Sequence, residues 1–322
     1  MRAYLCVVYV SEGLRSAVIS NLQHVAATSS PSCLFAHSFV DEAYNRTGVY
    51  LLSRSRQALI SAALAVSRSA FASIDFGQHQ GTHPALGSVD HVCFSQLGAD
   101  GSGSPTASKL GRDFGRALNE QEGVDVYFYG GASPGADTGS PRSLRDIRSD
   151  LGYFSAEPHV GAERAHALRA LVRLGAQSGT GGPALCAPES GGEAEATSRF
   201  ASKGVTCVGV VPLVRNLNMR FARTDSKALV ARVTAGVRVP GAVEALTLPW
   251  QDCFEVACNL RSSAPEHSPE AVLARALALA APLGLTLETH YCTGPGEAEL
   301  LQLLQDREDS GALPKTDDGD NE

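Results

Sequence analysis

The stretch HQGTHPALGSVDH, residues 79–91, sets three histidines within thirteen positions, interrupted by Gly81, Pro84 and Gly87. Three readings fit such a run: a metal site, an acid–base loop, or a polar turn between two buried elements. His79 and His83 have the i, i+4 spacing of zinc-protease ligands, but that spacing aligns two ligands only on a helix. Gly77, Gly81 and Pro84 oppose a helix, and the glutamate such a pair needs is absent, with Gln80 beside His79. Pro84 restricts His83 to extended backbone, while Gly81 and Gly87 permit close approach of chain or ligand. A loop of this kind can aim one imidazole outward from a rigid sheet, and a pKa near neutrality suits that ring to take a proton and return it. A histidine that only hydrogen-bonds a turn is the competing reading.

The elements that must position this loop follow from periodicity. Residues 3–10 read as a buried strand, and Ser11 with Glu12 open an amphipathic helix carrying Leu14, Val18, Leu22 and Val25. Strand signals return at 33–40 and 48–52, then a helix at 57–72 that stops before the Gly77–Gly87 loop. After it come the strand SVDHVCFSQL, a Gly/Ser-rich loop at 98–108, a helix near 109–121, the strand VDVYFYG and the basic helix SLRDIRSDLGYF. The polar, glycine-rich stretch 175–198 is too poor in apolar residues to pack. A second set of elements then runs strand (205–212), strand (217–221), helix (226–235), strand (242–249), strand (253–260), helix (269–281) and strand (285–290). Strands and helices that do not strictly alternate indicate an α+β fold, two ferredoxin-like-type α/β sandwich subdomains, each a mixed sheet with helices on one face. The expected boundaries are a first subdomain at 1–180, a linker or mobile loop at 181–203, a second subdomain at 204–303 and a disordered acidic tail at 304–322.

The chain has 322 residues, 43% of them hydrophobic, and a formal charge of -7. That acidity argues against a general nucleic-acid or membrane-surface binder, since phosphate polymers and anionic lipids do not attract it. Its eight cysteines form no C-x-x-C pair and five sit in apolar runs, as expected of free thiols in a reducing compartment. The start MRAYLCVVYVSEG lacks the marks of a signal or transit peptide, and no stretch approaches a membrane span, so a cytoplasmic location is expected. Pairing of two copies into a homodimer would be ordinary.

Several motifs occur in one order: YNRTGVYLL (44–52), HQGTHPALGSVDHVCF (79–94), VDVYFYGGAS (124–133), SLRDIRSDLGYF (143–154), GVTCVG with NLNM (204–219), and FEVACNL (254–260). With these the chain resembles the formiminotransferase family (glutamate formimidoyltransferases), including its stand-alone plant and algal members, over roughly residues 3–295. The resemblance implies transfer of a formimino, or formyl, group between N-formiminoglutamate and N5 of tetrahydrofolate. Tetrahydrofolate is then the co-substrate, held in a tunnel between the two subdomains, and the work belongs to one-carbon and histidine metabolism. The histidine of the G-x-H-P motif, here His83, is implied as the acid–base. Both substrates are carboxylates, so arginine is expected at the mouth, with Arg46 the first candidate and Asn45 beside it. Asn218 matches the family asparagine after GVTCVG, and Gly204 and Gly209 flank a strand that could admit a flat pterin.

The chain departs from the family in places. His37 and Phe39 stand where animal enzymes carry D-x-D, and Asp41, two residues beyond Phe39, is on the same strand face and could replace the lost carboxylate or serve only as a turn residue. The stretch EATSRFASKG (195–204) lacks the family's Gly-Pro loop. Val211 and Pro212 replace a basic pair, for which Arg215, Arg220 and Arg223 could compensate. These departures motivate a second reading, a catalytically inactive folate-binding or interaction protein of the same fold.

Overall fold

The computed structural model describes residues 2–98, 104–154, 161–178, 181–187, 192–222 and 226–314. The chain forms two units, residues 1–212 with 297–322, and residues 213–296. In the first, the apolar run AYLCVVYV is strand β1 (Ala3–Val10), nearly all of it buried. It pairs antiparallel with β3 (Arg46–Ser53) on one side and β4 (Val89–Leu97) on the other, and β3 pairs with β2 (Leu34–Asp41). Helices α1 (Ser16–Thr28) and α2 (Arg56–Ser73) connect these strands. Chain order β-α-β-β-α-β with sheet order β2-β3-β1-β4 is the ferredoxin-like arrangement.

The sheet continues past β4 with β6 (Val205–Val210) and then β5 (Asp125–Gly130), both pairings parallel, so six strands run β2-β3-β1-β4-β6-β5 and the sheet is mixed. Alternation sorts the side chains. Val126, Phe128, Val208 and Val210 join α1, α2 and α3 (Pro105–Glu122) in one core. Tyr127, Tyr129, Val205 and Cys207 point the other way, against α4 (Leu144–Asp150), α5 (Gly161–Ser178) and α6 (Gly192–Lys203). The first unit therefore adds a second helical layer to the single-face arrangement expected from its sequence. Local chemistry fixes the helix starts: the Ser55 hydroxyl accepts the Ala58 N–H, Pro105 occupies the first turn of α3, and Ser143 with Asp146 makes a capping box.

The second unit reads β7 (Arg215–Phe221), α7 (Lys227–Val237), β8 (Val243–Trp250), β9 (Cys253–Leu260), α8 (Pro269–Ala280), β10 (Leu287–Cys292). Its sheet, β10-β7-β9-β8, is the same fold type and antiparallel throughout. Leu217, Met219, Phe221, Val256, Cys258 and Leu260 pack beneath the two helices.

Further expectations from the sequence change. The division falls after Pro212, not at 203/204, because VTCVGV hydrogen-bonds between β4 and β5. The expected linker 181–203 holds α6, with Phe200 buried, and Leu185 bridges to Val126. Of the expected loop 98–108, residues 99–103 lie outside the described residues, and α3 already begins at Pro105. The expected tail from 304 is helical to Asp309: α9 (Glu297–Asp309) returns to the first unit with Leu300 and Leu304 buried, while 315–322 lie outside the described residues. No described helix is long and apolar enough to cross a membrane.

Candidate active site

A small, partly open cleft lies within the first unit, lined by Tyr9, Ser11, Tyr44, Arg46, His79 and His83 with Asp90 behind them. Three pieces of chain build it: the end of β1, the β2–β3 turn, and the histidine loop running into β4.

The turn and the loop are held by backbone hydrogen bonds. The Asn45 side chain, on a residue with φ of 49°, accepts the Gly13 N–H at 2.7 Å and donates to the Gln80 carbonyl at 2.6 Å. Asp41 accepts the Tyr44 N–H at 2.9 Å, which makes it the anchor of the turn. Asp90, buried at the start of β4, accepts the Leu86 N–H at 2.8 Å, and the Ser88 N–H donates to the Lys203 carbonyl at 2.9 Å. Gly204 has φ of +67° and packs on Leu86 and Gly87, with which it makes an isolated bridge. Glycine is required at 87 and 204 for this approach, since a Cβ on either would lie within 2.4 Å of a carbonyl oxygen.

His83 is half-buried at the cleft. Its Nδ1 lies 2.8 Å from the Pro84 carbonyl oxygen, an acceptor, so Nδ1 carries the hydrogen and Nε2 the lone pair. Arg46 Nη1 donates to Nε2 at 2.9 Å. The Tyr153 hydroxyl is 3.2 Å from Nδ1, and the Tyr44 and Tyr153 rings flank the imidazole at 5.4 and 5.9 Å. Burial, then the Arg46 charge, pushes the His83 pKa well below the ordinary histidine value. His79 is buried, with Nδ1 3.1 Å from the Ser11 carbonyl oxygen, and burial lowers its pKa as well. The pair is not helical, and among the described residues no three of His, Cys, Asp or Glu gather to hold a metal ion.

Behind His83 lies a charged cluster. Arg148 donates to Asp90 at 3.0 Å and covers the Tyr153 ring at 4.4 Å. Asp90 also accepts from His91 Nδ1 at 3.1 Å, and His91 stacks on Tyr9 at 4.2 Å. The Asp90 carboxyl is held far below the usual carboxylate range despite its burial, through His91 and Arg148. Burial pushes His91 down to about 4. Arg148 is paired with Asp90, and Glu12 and Asp41 are buried close by, so Arg46 is the cation through which the site suits an anionic ligand.

Within the first unit the structure brings together His83, Arg46, Asn45 and Asp41. Asn45 bonds the backbone of Gly13 and Gln80 and reaches the His79 ring, and Asp41 bonds the backbone of Tyr44. The strand glycines serve packing: a Cβ on Gly209 would lie 2.1 Å from the Tyr129 ring, so the flat ring seated there is the protein's own. Asn218 belongs to the second unit, where it donates to the fully buried Glu255 at 2.8 Å and contacts Tyr291. Arg220 is 3.4 Å from Glu255 and stacks on Trp250; Arg215 donates to Cys292, and Arg223 lies outside the described residues. Sequence reading gave no role to Tyr153, Arg148 or Asp90. The only signal for them was that each sits in a quoted motif.

The formiminotransferase domain, N-terminal subdomain, matches residues 3–211, which contains this whole cleft. The chain belongs to the formiminotransferase family. It is an enzyme of the transferase class. A formiminotransferase cyclodeaminase-like protein of Arabidopsis thaliana is 31% identical over 79% of this chain and 80% of its own length. The formimidoyltransferase-cyclodeaminase of Sus scrofa is 31% identical over 48% of this chain but only 27% of its own. A glutamate formimidoyltransferase of Thermoplasma acidophilum is 30% identical over 33% of this chain and 34% of its own. The formiminotransferase match includes β6, in keeping with the unit boundary after Pro212.

Proposed function

We propose that this chain moves a formimidoyl group from N-formiminoglutamate to N5 of tetrahydrofolate, with His83 as general acid–base. The observation that carries this reading is the His83 ring itself, set in the cleft with its Nδ1–H fixed on the Pro84 carbonyl and its Nε2 directed to the Arg46 guanidinium.

The proton bookkeeping suits one imidazole. As N5 forms a bond to the formimidoyl carbon it becomes positive and gives its proton to Nε2. The imidazolium then protonates the glutamate nitrogen, whose bond to carbon breaks, and the ring returns to its starting state. The carbonyl of Pro84 accepts from Nδ1–H throughout and keeps the ring in this tautomer, a task often done by a carboxylate. Holding two large substrates in reach of one ring supplies much of the acceleration. Arg46 pairs a substrate carboxylate, and use of a formyl donor follows the same proton path.

His83→Ala is expected to lower transfer by at least about 10²-fold, the usual value of a positioned acid–base group, with the thermal midpoint little changed. Undiminished turnover in a tetrahydrofolate transfer assay would refute the role. The second reading, a folate-binding protein without transfer, is favoured by one fact: the proton-accepting nitrogen is occupied by Arg46 in this state. Calorimetric binding of 5-formyl-tetrahydrofolate without turnover of formiminoglutamate would select it.

A further inference from the structure

The atom that must accept a proton is blocked. Nδ1–H of His83 is committed to the Pro84 carbonyl, so any incoming proton must go to Nε2, and Nε2 already receives the Arg46 N–H at 2.9 Å. Protonating Nε2 with Arg46 in place would set one N–H against another and two positive charges at hydrogen-bond distance. As it stands, the imidazole is an acceptor that cannot act.

The arginine is held in a way that lets it leave. Among the described residues its guanidinium is held by the His83 imidazole and by the face of Tyr9, whose ring centroid is 5.1 Å away, rather than by a carboxylate. A neutral imidazole is a weaker partner for guanidinium than a carboxylate, which can take two parallel N–H bonds. Of the acids nearby, Asp90 already pairs with Arg148 and His91 and caps Leu86, Glu12 pairs with Arg15, and Asp41, opposite Arg46 in the β2–β3 ladder, accepts the Tyr44 N–H. An arriving anionic ligand therefore finds one cation in the cleft not yet paired with an acid.

We infer that Arg46 is a substrate-operated latch on His83: it holds Nε2 closed until a donor carboxylate draws the guanidinium away and frees the nitrogen for proton transfer. This rests on the proposed function for the identity of the donor, but the latch itself is a property of the protein and a carboxylate. Arg46 acts here as a positioning residue as well as a carboxylate ligand. The groups facing His83 are Arg46 from β3, Tyr44 from the β2–β3 turn, Asp90 from β4, Arg148 from α4 and Tyr153 just beyond it. Arg46 and Arg148 disfavour the imidazolium and Asp90 favours it, so withdrawal of Arg46 shifts the balance towards a protonatable ring. The arrangement makes the acid–base competent only when an anionic donor is bound, and it selects against uncharged formimidoyl or formyl compounds.

Two measurements test this. In the first, the His83 imidazole is titrated by NMR in the wild type and in Arg46→Met, each with and without saturating glutarate, and with neutral glutaramide as control. The latch requires the midpoint to rise by about one pH unit or more in Arg46→Met, the usual effect of removing a like charge at contact. It also requires glutarate to raise the midpoint in the wild type but not in the variant, and glutaramide to do nothing. A wild-type midpoint that glutarate leaves unmoved overturns the latch, as does a glutarate shift of equal size in both proteins. The wild-type arm stands if the variant fails to fold.

In the second, transfer to tetrahydrofolate is compared for formiminoglutamate and for formamidine, a donor without a carboxylate. Arg46→Met should slow the anionic donor and speed the neutral one by up to about tenfold, one pKa unit of base availability. A merely structural role for Arg46 lowers both, and that result overturns the latch. If the wild type transfers no formimidoyl group, the proposed function falls while the titration still decides the latch.

Discussion

Asn45 does at one position what a loop ordinarily needs several residues to do. It adopts left-handed backbone, φ 49°, and its amide then reaches the Gly13 N–H and the Gln80 carbonyl together, tying the end of β1 to the histidine loop. Asn45→Gly keeps the backbone conformation and loses both bonds, at about 2–3 kcal/mol for two buried groups left without partners. Asn45→Ala adds about 1 kcal/mol of left-handed strain. Urea melts should order the three proteins Asn, Gly, Ala, and equal midpoints for Asn45 and Asn45→Ala would refute the tie. At this scale the sequence was partly legible. His83 and Arg46 could be picked out because residue type and immediate neighbours define them. Asn45 stood in the right motif, but whether its amide serves ligand or backbone depends on partners more than thirty positions away, whereas Asp41, open between a replacement carboxylate and a turn residue, bonds Tyr44 three positions on. From the sequence alone Gly209 offers room for a ligand, because nothing there pairs it with Tyr129 on the next strand.

The C-terminal helix shows what compositional reading costs. Residues 306–322 are acidic and poor in apolar side chains, yet Leu300 and Leu304 one turn apart bury fully, and Glu308 grips Arg54 at the end of β3 through two bonds of 2.6 and 3.0 Å. Both side chains of this pair are nearly inaccessible, 9% and 3% exposed, so removing one leaves a buried charge. Glu308→Ala is expected to cost about 3–5 kcal/mol and to raise amide exchange along α9 first. A change below about 0.5 kcal/mol in denaturant melts would mean the pair is no more than a surface contact. The two ferredoxin-like cores were legible because helices of helical period separate apolar runs of strand length, although β1, β3 and β4 are buried along almost their whole length. The placement of β6 was not: VTCVGV is buried throughout, and a strand without alternation carries no information on which neighbours it takes.

For the first unit as a body, the three histidines of the loop and β4 impose one direction of pH dependence. His79, His83 and His91 all have folded pKa values below the unfolded one, so between those values the unfolded chain binds more protons than the folded. Stability therefore falls as pH drops below about 6.5, and for His91 the fall continues to about 4. Asp90 adds in the same sense at lower pH, since its contribution exists only while the carboxyl is ionised. Urea midpoints measured from pH 7.5 to 4.5 should decline, and His91→Gln should flatten part of that decline. A profile unaltered by the substitution would show that His91 does not titrate with unfolding.

The parallel strand β6 has a consequence for the order in which the chain can assemble. Everything up to residue 97 can in principle pair as it emerges, since β1 to β4 are consecutive along the chain. The end of the histidine loop is anchored through Ser88 to Ser202 and Lys203, and the start of β4 through Val89 to Thr206, more than a hundred residues later. Closing so long a span is slow relative to neighbouring hairpins. The reactive ring thus reaches its working posture only after two thirds of the polypeptide has been made, and a nascent fragment ending before that point has a native-like core around an unfinished centre.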